Sequence, residues 1–107
     1  MRLEIQSINP ETLVCFLSGE LDLSTVTNFR NKIDQFISNS RISNLVLDFK
    51  NLRFIDSSGL AALLGRYKQL AQRGGRVVIT HCPSQVRKVL EMSGVTQVIE
   101  VTDTCTL

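Results

Sequence analysis

Asp56-Ser57-Ser58-Gly59-Leu60 lies where a continuous apolar run gives way to a long amphipathic one, and the reading of that junction decides the fold. Upstream, Leu45, Val46 and Leu47, followed by Asp48 and Phe49, form the short unbroken hydrophobic run of a central strand covered on both faces by helices. Downstream, Leu60, Leu63, Leu64, Tyr67 and Ala71 recur at the i, i+3, i+4, i+7 spacing of a helix with one buried stripe. This predicts a helix from Ser57 to Gln72, stopped by Gly74 and Gly75. Ser57 and Ser58 then sit at a helix start, beside free backbone N–H groups and the positive end of a helix dipole. A hydroxyl there is suited to carrying a phosphate. Serine also caps helices, so local hydrogen bonding is the competing account of both residues, and close packing is the competing account of Gly59.

Working towards the N-terminus, Ser24 is placed to cap a helix that turns Val26, Phe29, Ile33, Phe36 and Ile37 to one side. Before it, Leu3 and Ile5 alternate with polar residues, Asn9 and Pro10 mark a turn, and Leu13 to Leu17 form a second apolar run. These predict an antiparallel hairpin. Towards the C-terminus, Arg76 to Thr80 reads as a buried strand, and Pro83 with Ser84 opens a helix whose Val86, Val89 and Leu90 face inward before Gly94. Val98, Ile99 and Val101 predict a last strand. Within the long helix Gly65 costs about 1 kcal/mol relative to alanine, offset if a neighbouring element packs close against it. The fold class is α/β: a mixed β-sheet with an opening antiparallel hairpin, then parallel strands joined by right-handed helix crossovers.

No repeat or linker divides the 107 residues, so residues 1–107 are read as one domain. A hydrophobic content of 43% with 21% charged residues suits a globular chain. The formal charge of +2 comes from bases scattered among acids, without the basic block that nucleic acid demands. No apolar run reaches the roughly 18 to 20 residues of a membrane span, and the first residues alternate instead of forming a leader. The expected location is cytoplasmic, with no membrane and no direct nucleic-acid partner. Cys15, Cys82 and Cys105 are far apart and form no C-x-x-C pair, so reduced thiols are expected and neither disulfides nor a metal site. Cys15 reads as a small core hydrophobe and Cys105 as exposed.

An enzymatic and a ligand-binding role compete with modification at Ser58. Ser58 with His81, the only histidine, would need a carboxylate partner and a nucleophile glycine pattern that the chain does not supply. A nucleotide site would need the G-x-x-x-x-G-K-[ST] run, which is missing, and no cofactor is expected. Arg66, Lys68 and Arg73 read as solubilising charges on the outer side of the long helix.

Gly19-Glu20-Leu21-Asp22, then Phe54-Ile55-Asp56-Ser57-Ser58-Gly59-Leu60, Leu64-Gly65-Arg66-Tyr67-Lys68 and Met92-Ser93-Gly94 occur in an order and spacing that resemble a STAS domain. The resemblance is specifically to the single-domain anti-sigma factor antagonists of bacterial partner-switching systems. It implies phosphorylation of Ser58 by a serine kinase that is also an anti-sigma factor. The bare form binds that kinase and frees its sigma factor, the phosphorylated form lets go, and a PP2C-type phosphatase restores it. Asp22, Asp56, Ser57, Ser58 and Gly59 are then the partner-binding candidates, and the domain is not an enzyme. Some systems of this architecture regulate another signalling partner instead of a sigma factor. Only 13 residues follow Met92-Ser93-Gly94, so the terminal helix common in these antagonists is expected to be short or absent.

Overall fold

A computed structural model describes residues 1–103 of the chain. The hairpin forms from β1 (Arg2–Asn9) and β2 (Thr12–Leu21), paired antiparallel with Leu3 opposite Leu17 and Ile5 opposite Cys15. After β2 come α1 (Val26–Ile37), β3 (Asn44–Ile55), α2 (Ser57–Ala71), β4 (Arg76–Thr80), α3 (Ser84–Ser93), a short 3-10 turn at Val95–Gln97 and β5 (Glu100–Thr102). β2, β3, β4 and β5 pair in parallel, and strand order across the sheet is the order in the chain, with β3 at the centre. Both the mixed sheet and the central place of the Leu45–Phe49 run are as expected. Val98 and Ile99 fall before the last strand, and the exposure expected of Cys105 and the ending at Thr104–Leu107 lie outside the described residues.

The expectation of helices on both faces of β3 is overturned. Crossovers between parallel strands are right-handed, so a sheet that grows in one direction puts every crossover helix on the same side. One core accordingly joins Leu13, Cys15 and Leu17 of β2, Leu45, Leu47 and Phe49 of β3, and Val77 and Ile79 of β4. These pack with Phe29 and Ile33 of α1, Leu63 and Leu70 of α2, and Val86 and Leu90 of α3. Side chains alternate across a strand, so Val46 points to the opposite face, where Phe16 is exposed. Cys15 is fully buried in this core, and burial pushes its thiol up to about 12. It packs as the small hydrophobe expected of it.

The helices keep their predicted period but rotate. In α1, Val26, Phe29, Ile33 and Ile37 are buried, while Phe36 is 40% exposed and lies off the stripe. In α2 the buried line is Gly59, Ala62, Leu63 and Leu70, with Leu60, Leu64 and Tyr67 at its margin and Ala71 exposed. Arg66 falls on this line, and its reading as a solubilising charge is corrected. Its side chain is 13% exposed and reaches Asp34 of α1, Nε to Oδ1 at 3.2 Å, close enough for an ion pair though not aligned for a hydrogen bond. Arg73 is committed too, since its Nη1 donates to the Ile42 carbonyl at 2.8 Å. Lys68 alone of the three remains exposed.

Two glycines separate backbone need from mere tolerance. A Cβ on Gly75 would stand 1.7 Å from the Ser43 carbonyl oxygen, a backbone atom. A Cβ on Gly65 would meet nothing within 4 Å, so the close neighbour expected there is absent. Gly65→Ala is therefore predicted to raise stability by about 0.5–1 kcal/mol through better helix propensity. Gly75→Ala is predicted to lower it by at least about 2 kcal/mol through a clash that no rotamer relieves. Urea unfolding midpoints of the two variants check both signs.

Candidate functional site

Parallel neighbours bring their C-terminal ends together, and the register here sets Leu21 at the end of β2 opposite Ile55 at the end of β3. The loop that starts at Asp22 and the turn that starts at Asp56 thus emerge side by side. Asp56 donates its N–H to the Leu21 carbonyl at 3.3 Å. Its carboxylate then works in two directions: Oδ1 accepts from the Gly59 N–H at 3.1 Å, and Oδ2 accepts from the Leu23 N–H at 3.2 Å. The first bond is an N-cap of α2, with Asp56 in extended backbone. The second ties that cap to the β2–α1 loop.

The seat of this first turn is tight. A Cβ on Gly59 would lie 2.6 Å from the Leu21 carbonyl oxygen and 2.7 Å from a side-chain carbon of Ile55. Gly59 is buried, so it offers no side chain or surface to a partner, and its contribution to the candidate set is to let α2 approach β2. Asp56 is half-buried, Ser57 exposed and Ser58 half-buried. The capping role proposed for the serines belongs to Asp56. Among the described residues no hydrogen bond involves the Ser58 hydroxyl, which stands uncommitted at the second position of the helix.

Asp22 organises the neighbouring loop in the same manner. Its Oδ1 accepts from the Ser24 hydroxyl at 2.7 Å, the Ser24 N–H at 3.0 Å and the Thr25 N–H at 3.2 Å. The helix thus starts at Val26 and not at Ser24: the Ser24 hydroxyl is held as a donor to the Asp22 carboxylate, a strong charge-assisted bond, instead of capping. Thr25 fastens the loop from below, its hydroxyl donating to the Glu20 carbonyl at 2.8 Å. The Ser24 hydroxyl, more than the backbone N–H groups, holds the Asp22 carboxyl below its ordinary value of 3.8, against partial desolvation. No ion pair neutralises Asp22 or Asp56 among the described residues, whereas nearby Glu20 is paired with Arg53 at 2.6 Å. The result is an uncommitted hydroxyl on the first turn of α2 and two unneutralised acids, Asp22 and Asp56, at adjoining chain segments that the Asp56 carboxylate ties together.

A STAS domain model matches residues 4–106. The chain belongs to the STAS domain family. It is 40% identical over 91 residues to an anti-sigma F factor antagonist of Paenibacillus polymyxa, covering 85% of this chain and 78% of that protein. It is 33% identical over 94 residues to the anti-sigma F factor antagonist of Lysinibacillus sphaericus, covering 88% and 80%. The fold is similar to that of the anti-sigma factor antagonist SpoIIAA in its unphosphorylated form, with a TM-score of 0.77, 28% identity and coverage of 98% and 90%. The phosphorylated form of the Bacillus cell fate determinant SpoIIAA gives a TM-score of 0.75 at 31% identity, covering 94% and 90%.

His81 takes no part in the site of this STAS domain. It directly follows β4 with φ +53, and its Nδ1 lies 3.3 Å from Asp48 Oδ2 on the open face of the sheet. Asp48 and Ile55 are seven residues apart on β3, roughly 20 Å along an extended strand, so Ser58 and His81 do not meet as nucleophile and base. Asp48 is the carboxylate that the sequence reading did not pair with His81; the two approach only because Asp48 is in register with Thr80. No helix among the described residues is long and apolar enough to cross a membrane.

Two measurements follow from the double use of Asp56 and the bonded state of Asp22. Asp56→Ala is expected to cost about 1–2 kcal/mol of stability, read from urea unfolding, because it frees the Gly59 N–H and unties Leu23. Asp22 has a folded-state pKa below its unfolded value, so its contribution is present above 3.8 and lost as pH falls through the lower folded-state value. Unfolding midpoints across the acid range should therefore fall less steeply in Asp22→Asn than in the parent.

Proposed function

We propose that this chain is a cytoplasmic anti-sigma factor antagonist whose Ser58 is the phosphoacceptor. In this reading the bare form docks on a kinase-type anti-sigma factor through Asp22, Asp56, Ser57 and Ser58, with buried Gly59 setting the helix beneath them. The kinase phosphorylates Ser58, the complex separates, and a PP2C-type phosphatase returns the domain to its binding state. The domain itself catalyses nothing. The single observation that carries the proposal is the uncommitted, half-buried Ser58 hydroxyl on a helix start already capped by Asp56. The names of the similar proteins supply the class of partner.

Physical chemistry supports a switch that works by eviction. A phosphoserine adds about −1.5 to −2 charges at pH 7. The helix start offers it the Ser57 and Ser58 N–H groups and the dipole, about 0.3–1 kcal/mol, while Asp22 and Asp56 oppose it. The two effects partly cancel within the domain, so the fold persists. A partner pressed on the same place faces a dianion it must desolvate without a matching cation, at a cost of about 2–5 kcal/mol. That is roughly a 30-fold to several thousandfold loss of affinity.

Incubation with ATP and the purified anti-sigma F factor of Paenibacillus polymyxa, whose antagonist is 40% identical to this chain, tests the reading. Phosphate is expected on Ser58 by mass mapping, none on Ser58→Ala, and tight binding only by the unmodified and Ser58→Ala forms. Phosphate on Ser57, or equal affinity of Ser58→Asp and the parent, is the result that removes it.

A further inference from the structure

We infer that Leu23 is the apolar anchor of the kinase-binding surface and that Asp56 is the residue that positions it. This rests on the partner-switching reading above and names a contact that reading does not include. Leu23 is 77% exposed, at the tip of the loop between β2 and α1. An exposed leucine by itself carries no information. What singles this one out is the backbone beneath it.

Its own N–H is held by Asp56 Oδ2, and the residues around it are fixed by the bonds of Ser24 and Thr25 to Asp22 and of Thr25 to Glu20. A large apolar side chain on an immobilised backbone loses little further freedom when a pocket closes on it, which is the condition for an efficient binding anchor. The same Asp56 carboxylate caps the helix that carries Ser58, so Leu23 and the acceptor hydroxyl keep a constant relation. A single partner surface therefore meets both.

Charge decides what kind of surface. Asp22 precedes Leu23, Asp56 bonds to it, and neither carboxylate has a cation within ion-pair distance among the described residues. The complementary partner presents an apolar pocket for the leucine, ringed by basic or N–H donor groups for the two acids. Those donors also orient the domain before contact. A membrane or a second copy of this chain fits less well: the patch is too acidic for anionic lipid, and its two acids would face each other across a two-fold axis.

The test is titration of anti-sigma F factor from Paenibacillus polymyxa with the unphosphorylated full chain, comparing the parent, Leu23→Ala, Leu23→Gln and Leu23→Met. Leu23→Ala and Leu23→Gln are expected to bind about 10- to 30-fold more weakly, as for the loss of a central apolar contact, while Leu23→Met stays within about threefold of the parent. Urea midpoints of all three should match the parent, since the side chain is 77% exposed and lies outside the core. Asp56→Asn, which keeps an acceptor for only one of the two N–H groups, should weaken binding while Ser58 is still present. Parent-like affinity of both Leu23→Ala and Leu23→Gln overturns the anchor assignment alone. A parent that does not bind at all overturns the partner-switching reading, and this inference with it.

Discussion

The seating of the first turn of α2 against the end of β2 is the contact on which the site is built. Gly59 brings the helix to within a distance of the Leu21 carbonyl that any side chain would forbid, and at that distance the Asp56 carboxylate spans both loops. Move the helix out by the width of a methyl group and the Leu23 bond is lost, the cap is strained and Ser58 shifts relative to the loop that carries Asp22. Packing and presentation are therefore one property here. The glycine is fixed by what lies beneath the surface, and the surface follows from it.

The path from sequence to fold was short where local patterns decide and failed where several elements compete. The alternation at Leu3 and Ile5, the unbroken run at Leu45 to Phe49 and the helical spacing after Ser57 each carry their own period, and all three elements form where that period places them. The start of α1 is not legible locally because Ser24 has the chemistry of a cap, yet its hydroxyl and N–H both donate to the carboxylate two residues earlier. Coverage of β3 on both faces was misread because Val46 is apolar like its neighbours, although the topology puts all three helices on the other side. Arg66 looked solvated because its partner, Asp34, lies on a different helix. Each of these errors concerns a relation between elements, which no single window of sequence contains.

The site divides in the same way. Asp56, Ser57, Ser58 and Gly59 were legible as a motif, and Asp22 as part of a second short match. That one carboxylate joins the two was not, because it depends on Leu21 and Ile55 being register partners across the sheet. Leu23 gave no signal at all beforehand. A leucine between Asp22 and Ser24 reads as an ordinary loop residue until its exposure and the bond to its backbone are known.

Strand order that copies chain order has a consequence for how this molecule is made. Each strand after the first adds at the free edge left by its predecessor, and none has to wait for a later segment to be inserted between two earlier ones. As the chain emerges from the ribosome N-terminus first, the neighbour on which each new strand adds always precedes it in the chain. The loop bearing Leu23 and the turn bearing Ser58 are brought together by the pairing of β2 with β3 alone, a pairing that neither β4 nor β5 interrupts.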